Sequence, residues 1–165
     1  KGAKKRYAGL VKGKLDITGL EAVRGDWTDL AKKFQIELLL QVFNKKDPTK
    51  FINKFTKDLM NKKYDKLLVY KKSLRKPLEE YTVNTPHKKA AMKLIKAKGK
   101  LESNTIQYII TKDGPEPIQA LKHEIDYDHY QKKQLKPIAD SILTFFNTDF
   151  NAVIRSKTQK TLFNF

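Results

Sequence analysis

Apolar and polar residues alternate at the start of the chain, which is the pattern of β-strands that bury one face. Two alternating stretches, Lys4–Val11 and Lys14–Thr18, flank the connection Lys12-Gly13. A short connection with glycine between two such stretches favours a tight turn. The sequence therefore predicts an N-terminal β-hairpin.

After the hairpin, apolar residues recur every three to four positions, which is the spacing of helices with one buried face. Asp26 is predicted to cap the first helix, because Asp29 follows it at capping-box spacing. Two later helices are indicated by an N-cap residue with proline at the first helical position, at Asp47-Pro48 and Thr85-Pro86. The second of these is predicted to end at Gly99.

Between and after these helices the sequence predicts shorter elements. Leu67–Tyr70 has the composition of a short strand, and Ser73 is predicted to cap a helical turn that Pro77 would limit. Thr105–Thr111 (TIQYIIT) is rich in β-branched residues and is predicted to be a strand, followed by a turn at residues 113–115.

The last major helix is predicted to begin at Asp126 or Asp128 and to be kinked at Pro137. Thr148 is predicted to cap a short helix that runs to about Arg155. The fold class is thus predicted to be α+β and mainly α-helical, with an N-terminal β-hairpin followed by helices and a few short strands. The buried side of the last major helix is predicted to consist of Tyr130, Gln134, Leu135, Ile138, Ile142, Leu143 and Phe146.

Composition limits the possible classes of protein. The chain has 165 residues, of which 39% are hydrophobic and 10% aromatic, enough for the core of one domain or of one domain and a fragment. No apolar run approaches the roughly 18 residues of a membrane span, and the lack of cysteine excludes disulfides and thiolate metal sites. Because the chain starts at Lys1 without a signal-peptide pattern, we expect it to be a piece of a longer protein.

Positive charge is concentrated in the middle of the chain. The formal net charge is +17, and residues 45–100 alone hold 18 basic and 5 acidic side chains. A concentrated excess of this kind favours a surface that binds a polyanion, and the alternative is a solvated lysine-rich face. We expect the positive charges of residues 45–100 to form one concave surface that matches a double helix.

No catalytic or metal site is predicted. The histidines His87, His123 and His129 are scattered, and no HExxH, Walker-type or glycine-rich phosphate-binding motif occurs. Asp126-Tyr127-Asp128 resembles half of a two-metal carboxylate site, but acids at this position are typical of helix N-caps. A divalent-metal nuclease that uses these two aspartates stays open as an alternative, and it predicts cleavage by the isolated chain with magnesium.

Several longer blocks occur in a fixed order along the chain. They are KKRYAG at residues 4–9, GLEAVRGDWTDLAKKFQ at Gly19–Gln35, KxLxKxLxxY at residues 72–81, TPH at residues 85–87 and DYDHYxxxQLxPIADSIL at Asp126–Leu143. Together with DGPEP at residues 113–117, they resemble the carboxyl-terminal end of a family B DNA polymerase, and its bacterial members most of all. The resemblance covers nearly the whole chain and is weaker in the lysine-rich stretches, notably residues 88–104.

The resemblance implies a division of the chain into three parts. Residues 1–25 would be the end of the palm subdomain, residues 26–156 the thumb subdomain, which binds primer–template duplex DNA, and residues 157–165 a C-terminal tail. The parent would be a DNA-directed DNA polymerase, a nucleotidyltransferase of replication restart and DNA repair, in the bacterial cytoplasm at the nucleoid. Its catalytic carboxylates with their Mg²⁺ would lie upstream with the rest of the palm, the fingers and the exonuclease, so this segment would hold no catalytic residue, metal or cofactor.

The resemblance and the charge together indicate residues that bind DNA. In the family, the Lys-x-Tyr of the first block touches the minor groove near the primer terminus, and here these residues would be Lys5 and Tyr7. From the residues alone, an ordinary basic edge strand explains this block equally well. Ammonium groups and the helix N-terminus after Thr85 would bind phosphates without reading bases. The predicted DNA-binding set is Lys4, Lys5, Arg6, Tyr7, Lys71, Lys72, Arg75, Lys76, His87, Lys88 and Lys89.

The last residues, QKTLF within the tail, resemble the clamp-binding peptide of bacterial polymerases. Gln159 would bind by hydrogen bonds while Leu162 and Phe163 fill an apolar pocket on the sliding clamp. Lys160 departs from the more usual leucine. The alternative is a chain end with two chance hydrophobic residues.

A stand-alone basic nucleic-acid-binding module is the alternative for the chain as a whole. It predicts a start codon of its own and no coding sequence upstream, whereas the polymerase interpretation predicts carboxylate motifs upstream of Lys1.

Overall fold

The computed structural model describes residues 7–11, 14–18 and 27–155. Strands β1 (Tyr7–Val11) and β2 (Lys14–Thr18) pair in antiparallel fashion and confirm the predicted hairpin. The rest is mainly helical with one small sheet, so the predicted α+β class is confirmed as well. None of the helices within these ranges combines the length and the apolar character of a membrane span.

Helix α1 (Asp29–Phe43) begins later than predicted. Its N-cap is Thr28 and not Asp26, and the Thr28 hydroxyl accepts a hydrogen bond from the Ala31 N–H at 3.3 Å. The same hydroxyl donates to Gln134 Oε1 at 2.5 Å, and the Thr28 N–H donates to that oxygen at 3.2 Å. The start of α1 is thus set by a distant amide, which no local capping pattern reveals.

Helix α2 (Pro48–Met60) begins as predicted after Asp47, whose carboxylate accepts a hydrogen bond from the Thr49 N–H at 2.8 Å. Aromatic rings fill the space between α1 and α2. The ring centroids of Phe34 and Phe55 lie 4.9 Å apart, and both side chains are almost fully buried. Such a pair adds roughly 0.5–1.5 kcal/mol to the gain from burial of apolar area.

A three-stranded antiparallel sheet has the order β3 (Tyr70–Ser73), β4 (Thr105–Thr111) and β5 (Gly114–Pro117). The prediction of β4 is confirmed. The predicted turn after it is occupied by residues 112–113, and Gly114 with a φ of 89° already starts β5, a strand that was not predicted. A positive φ is the conformation that glycine adopts without strain.

Two predictions before α3 were wrong. The strand predicted at Leu67–Tyr70 begins only at the last of these residues, because Leu68 is fully buried and its carbonyl accepts a hydrogen bond from the Tyr130 hydroxyl at 2.7 Å. Ser73 ends β3 instead of capping a helix, since β3 finds its hydrogen-bond partners in β4, and only Leu78–Glu80 forms a 3₁₀ turn.

Helix α3 (Pro86–Lys98) has the predicted ends, with Thr85 as N-cap and Gly99, at a φ of 87°, as C-cap. It packs on one face of the sheet, with β4 at the centre of that face. The contact is a small core made of Ala90, Ala91, Ile106 and Tyr108.

The last major helix has three parts, α4 (Tyr127–Tyr130), a π-helical turn (Gln131–Leu135) and α5 (Lys136–Leu143). Asp126 is its N-cap, one of the two predicted starts. The π-helical turn ends at Leu135, two residues before Pro137. Because proline has no N–H to donate to the preceding turn, the regular α-helical pattern is interrupted there, as predicted.

The end of this helix differs from the prediction in two details. The predicted buried residues are buried except Phe146, which is 48% exposed because it lies in a 3₁₀ turn after α5. The short helix at residues 150–155 is capped by Asp149 and not by Thr148, since the Asp149 carboxylate accepts an N–H hydrogen bond from its first turn at 2.7 Å.

The main core lies between α1, α2 and the last major helix, and Tyr130 connects it to the sheet. The Tyr130 side chain is fully buried, and its hydroxyl donates to the Leu68 carbonyl at 2.7 Å and accepts from the Ile110 N–H of β4 at 3.0 Å. Burial is the main cause that raises the pKa of Tyr130, so the hydroxyl stays protonated. One side chain thus joins helix, loop and sheet.

Replacing Tyr130 by phenylalanine should lower the free energy of unfolding by about 2 kcal/mol, because it leaves one buried carbonyl and one N–H without their partner. Urea unfolding followed by circular dichroism measures this change. Tyr108→Phe is the matched control, because no hydrogen bond of the Tyr108 hydroxyl is seen in the described part of the chain. Equal losses for the two variants would contradict the bridging role of Tyr130.

Candidate nucleic-acid interface

The predicted DNA-binding residues beyond the hairpin lie on β3, on the connection at residues 74–84 and on the first turn of α3. Residues 71–89 hold six basic and two acidic side chains. Lys71, Lys72, Arg75, Lys76 and Lys89 are exposed. The segment therefore offers several mobile cations on one short stretch of chain.

Tyr81 lies at the centre of this segment. Its hydroxyl accepts a hydrogen bond from the backbone N–H of Arg75 at 3.0 Å, and its carbonyl accepts one from Lys88 Nζ at 2.7 Å. Lys76 Nζ lies 4.8 Å from the centroid of the Tyr81 ring, a cation–π distance. Three predicted DNA-binding residues are thus gathered around one tyrosine.

His87 packs against Tyr81 and fixes the position of its ring. Its side chain is only 5% exposed, its ring meets the Tyr81 ring edge-on at a centroid distance of 5.5 Å, and its Nδ1 lies 3.0 Å from the Thr85 hydroxyl. Burial, and then the positive charge of Lys72, lower the pKa of His87. The ring is therefore neutral at pH 7 and positions Tyr81 and the helix start instead of adding charge.

The N-terminus of α3 lies beside Tyr81. The N–H groups of Lys88 and Lys89 donate to the hydroxyl and carbonyl of Thr85 at 3.4 and 3.0 Å, and Pro86 has no N–H. The N–H of His87 is therefore the first-turn donor for which the described residues show no partner, and together with the helix dipole it makes this end attractive to an anion. Lys72 of β3 pairs with Ile106, whose side chain packs under α3, and its positive charge contributes to the lowered pKa of His87.

Some predicted residues are not brought together. Side chains alternate along a strand, so Lys71 points to the opposite face of the sheet from Lys72. Lys88 belongs to the Tyr81 group, but its ammonium is already bound to the Tyr81 carbonyl. Lys89 is exposed at the end of the first turn of α3. Outside the described residues lie Lys4, Lys5, Arg6, Gln159, Leu162 and Phe163, and of Tyr7 only the strand is described.

The positive charge of residues 45–100 is spread over helices α2 and α3, strand β3 and the connections between them, and the two helices have different neighbours. Lys50, Lys54 and Lys57 lie along the exposed side of α2, which packs on α1. Helix α3 instead packs on the sheet. The single concave surface stays a prediction. The basic side chains with defined contacts in this region are those near Tyr81.

Sequence analysis did not single out Tyr81 as a site residue. The only signal was its place in the KxLxKxLxxY block, where spacing alone does not reveal that the tyrosine contacts both ends of the loop. The aspartates 126 and 128 behave as predicted for a cap, because Asp126 Oδ1 accepts a hydrogen bond from the His129 N–H at 3.2 Å. Across residues 27–155, neither belongs to a group of three potential metal ligands.

Comparison with known proteins gives one consistent result. The model of DNA polymerase family B matches residues 2–154. DNA polymerase II of Escherichia coli (strain K12) is 38% identical over 161 residues, covering 90% of this chain and 21% of that protein. DNA polymerase 2 of Aeropyrum pernix is 35% identical over 177 residues, covering 99% of this chain and 22% of that protein.

A solved structure supports the likeness at the level of the fold. The family B DNA polymerase of Pyrobaculum calidifontis superposes with a TM-score of 0.66 at 29% identity, covering 81% of this chain and 19% of that one. The chain thus spans about a fifth of the length of each of these relatives.

The depressed pKa of His87 makes stability depend on pH. The folded state binds its proton less readily than the unfolded state, whose histidines titrate near pH 6.5. Stability should therefore fall with falling pH in a window that opens at about pH 6.5 and closes at the lower folded pKa. Urea unfolding between about pH 7.5 and about pH 5.5 should show this loss, and it should be smaller in His87→Gln.

The partly buried His129, whose pKa is also lowered mainly by burial, contributes in the same direction. An NMR titration of the ring protons therefore separates the two histidines. A pKa of His87 at or above 6.5 would contradict the buried, neutral ring.

Proposed function

The chain belongs to DNA polymerase family B, and we propose that it is the duplex-binding thumb of a DNA-directed DNA polymerase, with the end of the palm before it and a clamp-binding tail after it. The proposed boundaries are residues 1–25, 26–156 and 157–165. The parent would transfer nucleotides with Mg²⁺ held by carboxylates elsewhere in its chain, in replication restart and repair synthesis at the bacterial nucleoid.

One observation carries the proposal, the gathering of Arg75, Lys76 and Lys88 around Tyr81 beside the start of α3. Flexible cations and a helix N-terminus are the two groups with which proteins bind phosphates irrespective of sequence. A polymerase that moves along its template needs contacts of this kind, because they carry no base information.

The geometry assigns different roles to the residues of this site. Lys72, Arg75 and Lys76 are exposed and free to reach phosphates, so they would supply the electrostatic attraction. Tyr81 and His87 hold the connection against the first turn of α3 and keep these cations close together.

The hairpin and the tail would extend these contacts to the two ends of the segment. Lys5 and Tyr7 would touch the minor groove near the primer terminus, as the family resemblance implies. Gln159, Leu162 and Phe163 would bind a sliding clamp and keep the enzyme on DNA.

Binding of duplex DNA should weaken steeply with salt. If about five phosphates are bound, the logarithm of the association constant should fall with the logarithm of the salt concentration at a slope of roughly −4 to −5. Removing two cations in the double variant Lys72→Gln, Lys76→Gln should reduce the magnitude of the slope by about 1.8. Fluorescence anisotropy with a labelled duplex measures both slopes.

The double variant Lys50→Gln, Lys57→Gln is the matched control, because it removes the same charge from the exposed side of α2. It should leave the slope nearly unchanged. A salt-dependence slope near zero in the unsubstituted 165-residue chain would reject duplex binding. Equal changes of the slope in the two double variants would show that the positive charge acts without a defined site.

The tail should act separately from the duplex site. Replacing Leu162 and Phe163 by alanine should abolish binding to a bacterial sliding clamp, because both apolar anchors are lost. Duplex affinity should not change. Surface plasmon resonance on immobilised clamp and on immobilised duplex compares the two, and a parallel loss of both activities would refute the division.

A further inference from the structure

A second group of polar side chains lies on the opposite end of α3 from the Tyr81 site. Asp113 is in the turn between β4 and β5, Glu116 is in β5, and His123 is in the segment that leads to α4. One potential ligand atom from each lies within 4.8 Å of the others. They line a cavity of about 190 Å³ beside α3.

Glu116 is the fixed member of this group. It is a carboxylate that is only 2% exposed, and its Oε1 accepts hydrogen bonds from the N–H groups of Lys122 at 2.8 Å and of His123 at 3.2 Å. The backbone thus holds this buried carboxylate in place through Oε1, while its second oxygen, Oε2, is hydrogen-bonded to the ring of His123.

The other two members are adjustable. The side chains of Asp113 and His123 are about half exposed, and Asp113 Oδ2 lies 3.9 Å from His123 Nδ1. Donor atoms around a tetrahedral zinc ion are roughly 3.3 Å apart, given metal–ligand distances near 2.0–2.1 Å. The half-exposed side chains of Asp113 and His123 have room to rotate toward that spacing, whereas Glu116 is held by two backbone hydrogen bonds.

We propose that Asp113, Glu116 and His123 form a zinc site, in which Nδ1 of His123 and one carboxylate oxygen from each acid bind the ion and water completes the coordination. An imidazole nitrogen combined with carboxylates suits Zn²⁺, while Mg²⁺ prefers oxygen ligands alone. Ligation through Nδ1 requires the neutral ring with its proton on Nε2, so the ion takes the place of the hydrogen bond between His123 and Glu116, and any second ring proton goes to the solvent. The site would tie the β4–β5 turn to the segment before α4.

Nearby lysines are expected to weaken the binding of zinc at this site. Lys93 Nζ lies 3.1 Å from Asp113 Oδ2 and 3.0 Å from the Asp113 carbonyl, so its ammonium competes with the metal for Asp113. Lys96 and Lys122 also line the cavity and repel cations. The proposal departs from the sequence prediction of no metal site, since these three ligands have no motif spacing and are joined only by the fold.

Titration of the 165-residue chain with Zn²⁺ by isothermal calorimetry tests the site, and Co²⁺ as a probe should give the intense visible absorption of four-coordinate geometry. His123→Ala should weaken zinc binding by more than the roughly 10–100-fold that loss of an outer-shell partner costs. Lys93→Gln should tighten binding several-fold, because it removes the competing ammonium. Lys96→Gln is the matched control that leaves the ligands intact and should keep Co²⁺ absorption.

Zinc binding in this experiment does not depend on DNA binding. A negative result would therefore reject the zinc site without affecting the proposed function. Circular dichroism confirms that each variant is folded before metal is added. Absence of zinc binding by the unsubstituted chain at millimolar zinc would overturn the proposal. Equal zinc affinities of the unsubstituted chain and of His123→Ala would overturn it as well.

Discussion

The buried hydroxyl of Tyr130 is the interaction on which the arrangement of this protein depends. It donates to the Leu68 carbonyl and accepts from the Ile110 N–H, and it thereby joins the last major helix to the loop before β3 and to the central strand β4. Around it, the Tyr70 ring lies 5.7 Å from Tyr130 and 5.2 Å from Tyr108. The Tyr70 hydroxyl lies 2.7 Å from His129 Nε2, which adds a second side-chain hydrogen bond between this helix and the sheet on which α3 packs.

The position of the side chains proposed to bind phosphate follows from this support. Since α3 packs on the sheet through alanines, its backbone lies close to β4, and its N-terminus comes near the exposed edge strand β3. Lys72 is on the face of β3 that α3 covers, which explains why its charge lowers the pKa of His87. Contacts of Tyr81, rather than regular secondary structure, hold the connection between β3 and α3 in place. The backbone of this connection is therefore fixed, while its exposed basic side chains can reorient.

Helix α3 also separates two surfaces of different chemistry. Its first turn, with Thr85, Pro86 and His87, faces cations suited to phosphate. Further along, Lys93 contacts the turn that carries Asp113, beside a buried carboxylate. In a chain of net charge +17, a buried ionised glutamate requires its own hydrogen bonds, and Glu116 has them from two backbone N–H groups and an imidazole. Both surfaces are defined by loops that the sheet and helix position, which is common for functional sites.

The sequence by itself determined the elements whose signals are local, such as the N-caps Asp47 and Thr85, the C-cap Gly99 and the β-branched strand β4, because a cap or a strand former acts within a few residues. The pattern of apolar and polar residues likewise identified the fold class, and the family blocks identified the polymerase relationship. The tertiary structure alone decided the start of α1 at Thr28, through an amide 106 residues away. It also decided the late start of β3, the role of Tyr81 and the meeting of Glu116 with His123. Each of these depends on a partner that only chain folding brings within hydrogen-bond distance, and such a partner leaves no periodic trace in the sequence.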